Sequence, residues 1–310
     1  MVGAGRGAVV VLAGGTGGAK LARGMLDLVG DELVVVANTG DDVEVHGAHV
    51  SPDPDLVTYW LADRIDERGW GLEGDTFAVM DGLRELGEEV WFALGDRDLA
   101  VCLQRSRRLR EGARLTTTLA ELAHALGVSA RVLPMSDEPV RTRVQVGGHW
   151  LELQEFLIRH RGAGPVQDVQ FAGAPEARPT REVLEAIAEA RAIIVGPSNP
   201  IISIGPILAV AGLRDALMQA PAPVVAVSPI VGGKVLKGPT DAFLAWTGVA
   251  SSAEGVAGLY AGLLDGMVAD EPVQTVASLR ADTLMVDAAS RRAVATESLA
   301  FAESLGPARR

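Results

Sequence analysis

The chain has 310 residues, 48% hydrophobic and 22% charged, which supplies a sizeable core and excludes wholesale disorder. Its net charge is −12 (28 Lys and Arg against 40 Asp and Glu), so it does not wrap nucleic acid through a general basic surface. A single cysteine, Cys102, excludes an internal disulfide framework and a Cys-rich zinc site, and suits a reducing compartment.

The start, Met1–Gly7, is glycine-rich, and the apolar run Ala8–Ala13 is too short for a signal h-region or a membrane span. No later uncharged apolar run is long enough to span, so the expectation is a cytoplasmic protein with no membrane partner. Val9–Leu12 and Leu33–Ala37 read as buried strands, with a helix over Ala19–Leu28 between them, together a βαβ unit. An amphipathic helix is predicted over Leu56–Glu67, a strand over Val90–Leu94 and an arginine-rich helix over Asp98–Arg110. Ala192–Val195 and Val224–Val227 are apolar on both faces, as strands of a parallel sheet covered by helices are. Arg141–Val146, the turn Gly147-Gly148 and His149–Phe156 alternate as an inserted antiparallel hairpin. Ala288–Ser304 reads as a closing helix. The expected architecture is therefore α/β and Rossmann-like, with a mostly parallel sheet. Residues 8–131 and 176–305 form the core, and 132–175 a β-rich insertion.

Five loops at predicted strand ends concentrate the chemistry. The first is Gly14-Gly15-Thr16-Gly17-Gly18-Ala19-Lys20. Lys20 lacks the Gly before and the Ser or Thr after it that a P-loop needs, and a dinucleotide fingerprint would need Gly where Lys20 stands. A bland strand-to-helix turn remains open, but one turn rarely needs four glycines, and a non-standard phosphate loop is the preferred reading. The second is Asn38-Thr39-Gly40-Asp41-Asp42, whose acids suit a ribose hydroxyl, Mg²⁺ or a plain helix cap. Asp53 and Asp55 follow, either as caps of the next helix or as further metal candidates.

In the third loop, Gly95-Asp96-Arg97-Asp98, Arg97 is either a surface ion pair or an anchor for an anionic or planar ligand. Arg105, Arg107, Arg108 and Arg110 behind it spread around a helix and are expected to be mostly solvated. Ser198 and Asn199, with Ser203 beyond them, offer hydrogen bonds to a base or phosphate, and Ser228–Lys234 with Lys237 completes the set. The five histidines form no HExxH pair, and there is no Gly-x-Ser-x-Gly elbow, so a zinc protease and a serine hydrolase are both disfavoured.

As an ordered set, these loops resemble the 2-phospho-L-lactate transferase family of coenzyme F-420 biosynthesis. The resemblance runs from about residue 8 to 290. It also takes in His46-Gly47, Leu133-Pro134-Met135-Ser136-Asp137, Ser203-Ile204-Gly205-Pro206 and Ala281-Asp282-Thr283-Leu284-Met285. It implies a Mg²⁺-dependent transfer of a phospholactyl or phosphoenolpyruvyl group from a guanosine-diphospho donor. The acceptor is the ribityl hydroxyl of 7,8-didemethyl-8-hydroxy-5-deazariboflavin, and GMP is released. Carried over by position, Gly14, Gly15, Thr16, Gly17, Gly18, Lys20, Asn38, Thr39, Ser198, Asn199 and Ser203 would bind substrate. Asp41, Asp42 and Asp55 would hold Mg²⁺. Asp55 and Arg97 would face the deazaflavin, with Asp55 orienting or deprotonating its hydroxyl, while Ser136 and Asp137 belong to the motif without a readable role. A homodimer is ordinary for such a family. The chain departs from the family's Asp-Leu-Asp-Thr in reading Asp53-Pro54-Asp55-Leu56, and Thr58 is the nearest hydroxyl to stand in for the missing one.

Two alternatives stand beside this reading. One is a non-catalytic UDP-sugar-binding regulator sharing the Gly-Gly-Thr-Gly-Gly opening. The other is an NAD-dependent dehydrogenase, demoted by the missing third glycine.

Overall fold

The structure is a computed structural model that describes residues 7–307; the first six residues read above, Met1–Arg6, lie outside it. Its centre is a seven-stranded, wholly parallel sheet in the order β14-β13-β10-β9-β1-β2-β5. The strands are β1 (Ala8–Ala13), β2 (Leu33–Ala37), β5 (Arg131–Pro134), β9 (Ala190–Val195), β10 (Val224–Val227), β13 (Gly266–Ala269) and β14 (Ala277–Arg280). Alternation along β1 explains why the runs are apolar on both faces. Val10 and Leu12 enter one core, while Val9, Val11 and Ala13 enter the other.

On the first face pack α7 (Arg181–Ala188), α8 (Ile204–Ala209), α9 (Leu213–Gln219) and α11 (Ala253–Leu259). On the second pack α1 (Gly15–Val29), α2 (Pro52–Leu61) and the closing helix α12 (Ala288–Leu305). The chain moves outward from β1 through β2 to β5, then returns to the other side of β1 at β9. That reversal leaves a crevice beyond the carboxyl ends of β1 and β9, the usual place for a ligand in an open parallel sheet.

A separate antiparallel sheet, β7-β6-β8, is built from β6 (Arg141–Val146), β7 (His149–Glu152) and β8 (Asp168–Ala172). Two sequence expectations need correcting here. The hairpin strand predicted to Phe156 stops at Glu152, and α6 (Leu153–Ile158) follows, burying Leu153 and Phe156. Residues 131–134, partly assigned to the insertion, pair with β2 as the edge of the main sheet.

Between β2 and β5 lies a third unit: the hairpin β3 (Val43–Val45) and β4 (Ala48–Val50), with α3 (Ala78–Glu85), α4 (Asp96–Arg110) and α5 (Leu115–Ala125). Val90–Leu94 is not a strand, because among the described residues nothing pairs with it; its apolar side chains instead fill a small core with Met80, Leu99 and Cys102. The helix predicted from Leu56 begins at Pro52, since proline at the first turn is pre-organised for helix, and it ends at Leu61 before the positive φ of Asp63. Small elements complete the chain: β11 (Ile230–Val231), β12 (Lys234–Val235) and α10 (Thr240–Thr247). Among the described residues, no helix is long and apolar enough to cross a membrane.

Candidate active site

The crevice at the carboxyl ends of β1 and β9 opens into a cleft of about 830 Å³. One wall is the glycine loop and the loops after β9 and β10. Gly15 has φ +62°, a conformation that glycine adopts without strain, and a Cβ on Gly14 would lie 2.6 Å from the Ser203 Cβ. The glycines thus have local steric causes: a positive φ at Gly15, and close neighbours at Gly14, Gly17 and Gly18 that leave no room for a Cβ. Gly14, Gly15, Thr16, Gly17 and Lys20 line the cleft, as do Ser198, Asn199 and Ser203. Gly18 does not: it sits behind the loop, where a Cβ would meet the Ser198 hydroxyl at 2.6 Å.

Two lysines, Lys20 and Lys237, line the cleft with the glycine loop. The Lys20 ammonium donates to the Met285 carbonyl (2.9 Å) and lies 5.8 Å from the Trp60 ring centre. Burial, then Arg291 and Lys237, hold its pKa below the usual lysine value. Lys20 and Lys237, which both line the cleft, suit an anionic group.

Four carboxylates line the same cleft. Asp41, Asp53 and Asp55 are buried, Asp98 is partly so, and all four line the cleft. Asp53 accepts from the Gly15 backbone N–H and from Asn38 Nδ2 (2.9 Å), which ties the acid to the glycine loop. Burial still pushes its pKa up to about 6. Asp41 accepts from Gln154 Nε2 (3.0 Å) of α6, and its carboxyl is raised well above the ordinary range by burial and by Asp53 and Asp42. Burial raises Asp55 to about 7 despite an ion pair with Arg105. Burial also raises Asp98, which accepts a 2.6 Å hydrogen bond from the Tyr59 hydroxyl.

Asp41 Oδ1 and Asp55 Oδ2 are buried with no hydrogen-bond partner among the described residues. Oxygen atoms of Asp55 and Asp98 and the Cys102 sulfur lie within 4.8 Å of one another. Burial keeps the Cys102 thiol protonated, which leaves hard carboxylate oxygens, the donor set that Mg²⁺ prefers. Beyond the acids, Trp91, Phe92, Leu56, Leu157 and the half-exposed Trp70 form an apolar and aromatic wall suited to a planar ring.

Several predicted residues lie elsewhere. Asp42 is outside the cleft, both oxygens held by His49 Nε2 (2.9 Å) and the Ser51 hydroxyl (2.7 Å). Asn38 and Thr39 are buried behind it. Arg97 is exposed, and its guanidinium donates to the Glu73 carbonyl (2.9 Å) rather than into the cleft. Asp137 pairs with Arg114 and accepts from the Thr116 N–H at the start of α5, and Ser136 donates to Glu138. The Thr58 hydroxyl is spent on the Pro54 carbonyl (2.7 Å), so it does not replace the hydroxyl missing at Leu56.

The sequence reading missed Asp98, Gln154, Tyr59 and above all Arg105, which is wholly buried rather than solvated. Asp98 lay in a motif already singled out, one residue beyond Arg97. Arg105 carried no local signal.

The model of the family described as 2-phospho-L-lactate transferase matches residues 9–300. A phosphoenolpyruvate transferase of Kitasatospora aureofaciens is 41% identical over 96% of this chain and 98% of its own length. A 2-phospho-L-lactate transferase of Methanosarcina mazei is 42% identical over 85% of this chain and 87% of its own. Among solved structures, a Bacillus halodurans protein of the UPF0052 family superposes with a TM-score of 0.55 at 19% identity, over 87% of this chain and 83% of that one, a likeness of fold alone. The chain belongs to the 2-phospho-L-lactate transferase family.

Proposed function

We propose that the chain transfers a phospholactyl or phosphoenolpyruvyl group from a guanosine-diphospho donor to the ribityl hydroxyl of 7,8-didemethyl-8-hydroxy-5-deazariboflavin, in coenzyme F-420 biosynthesis in the cytoplasm. The observation that carries this reading is one cleft that Lys20, Lys237 and the glycine loop line together with Asp55, Asp98 and an aromatic wall. An anionic diphosphate suits the lysines and the glycine loop, and a planar acceptor suits the aromatic wall.

The hydroxyl oxygen attacks the distal phosphorus, the anhydride P–O bond breaks, and its electron pair leaves on GMP. Asp55 Oδ2, with a pKa near 7, takes the hydroxyl proton. Lys20 and Lys237 offset the charge of the diphosphate, and the backbone of Gly14–Gly17 approaches it closely. The carboxylate of Asp98, whose oxygen lies close to that of Asp55, would suit Mg²⁺, which when bound would neutralise phosphate charge.

Calorimetric titration with GDP and Mg²⁺ and with a UDP-sugar checks the nucleotide side. Binding of GDP well ahead of the UDP-sugar supports the reading. The reverse order would favour the non-catalytic regulator.

A further inference from the structure

The two carboxylates that face the acceptor end are laced together across two helices. Asp55 stands on α2 and its partner Arg105 on α4, while Asp98 stands on α4 and its partner Tyr59 on α2. Asp55 and Tyr59 are four residues apart, and Asp98 and Arg105 seven, so each pair shares one helix face. Tyr59 and Arg105 are both buried.

Each donor takes a single carboxylate oxygen. Arg105 Nη2 bonds Asp55 Oδ1 and leaves Oδ2 buried and unpartnered, while its Nη1 is anchored on the His49 carbonyl (3.1 Å) at strand β4. A guanidinium could grip both oxygens of a carboxylate; this one divides its two Nη groups between Asp55 and the His49 carbonyl, and its buried Nε has no hydrogen-bond partner among the described residues. Tyr59 likewise engages only Oδ1 of Asp98.

We propose that Arg105 and Tyr59 are reciprocal positioning residues, each fixing one oxygen of a cleft carboxylate so that the other is presented, from Asp55 to the acceptor hydroxyl and from Asp98 to a divalent cation. The proposal rests on the functional reading above. Lysine at 105 keeps the charge but has one nitrogen, so it cannot hold Asp55 and the His49 carbonyl in the same fork. Phenylalanine at 59 keeps the packing and deletes the donor.

The test compares wild type with Tyr59→Phe, Arg105→Lys and Arg105→Gln. It measures kcat and KM per folded molecule, Mn²⁺ binding by electron paramagnetic resonance, and Tm. The expected result is a kcat lowered about tenfold or more in Tyr59→Phe and Arg105→Lys, with KM for both substrates within about threefold. Arg105→Gln should fall below Arg105→Lys, and Tyr59→Phe should weaken Mn²⁺ binding about tenfold. A lowered Tm with kcat and Mn²⁺ affinity within about twofold would overturn the proposal, leaving the two residues as ties between helices. If wild type binds Mn²⁺ and Tyr59→Phe weakens it while no donor turns over, the positioning stands and the functional reading falls. If wild type neither binds Mn²⁺ nor turns over, both fall.

Discussion

Gly17 and the Pro197 carbonyl approach so closely that a Cβ on Gly17 would stand 2.0 Å from the carbonyl oxygen. This contact joins the first turn of α1 to the loop after β9 at the point where the strand order reverses. Gly17→Ala should therefore cost about 1–3 kcal/mol in urea unfolding and also raise the donor KM, because the backbone that must yield lines the cleft.

Asp55→Asn should leave the fold intact and lower kcat by about 10²–10⁴-fold, as loss of a general base does. In the wild type the rate should fall about tenfold for each pH unit below 7, where the Asp55 carboxyl becomes protonated.

The same burial has a consequence for stability. Asp53 and Asp55 are raised from 3.8 to about 6 and about 7, so between those limits the folded chain holds protons that the unfolded chain has lost. Their contribution is fully present below about pH 4 and is lost as the pH rises through 6 and 7. In metal-free buffer Tm should be higher at pH 5 than at pH 7.5. Added Mg²⁺ should raise Tm more at pH 7.5, where the acids are ionised.

Lys20→Met should raise the donor KM about 10–100-fold, the effect of losing a charged hydrogen-bond donor. It should leave Tm unchanged or slightly higher, since Lys20 is pressed by Arg291 and Lys237. A Tm drop with an unchanged KM would assign Lys20 to its bond with the Met285 carbonyl alone.

The geometry ranks Asp98 above Arg97, against the carried-over expectation. Asp98→Asn should lower kcat at least tenfold more than Arg97→Ala does. A larger loss in Arg97→Ala, especially in the deazaflavin KM, would restore Arg97 to the acceptor site.

These rankings mark what the residues made legible. Buried strands such as Leu33–Ala37 announce themselves through runs apolar on both faces, and Gly14–Gly18 through a density of glycine with local steric cause. Arg105 was hidden because its burial is decided by what packs over α4. The β3–β4 hairpin and Asp55 close on one side of that helix, while Arg107 and Arg108 beside it stay at the surface. Val90–Leu94 misled for a related reason: its composition suits a strand, but the neighbour that would pair with it is absent, and packing on α3 and α4 takes its place. The close spacing of Asp53 and Asp55 was readable as a cluster. How their oxygens are held was not, since that depends on Asn38, Gly15 and Arg105 from elsewhere in the chain.

The most direct test of the transfer itself mixes the protein, Mg²⁺ and the deazaflavin with the lactyl or the enolpyruvyl guanosine-diphospho donor, in separate tubes followed by mass spectrometry. The account predicts that in at least one tube the deazaflavin gains the phospho-acyl group as an equal amount of GMP appears. Intact donor and acceptor in both tubes, with correctly folded protein, would contradict it.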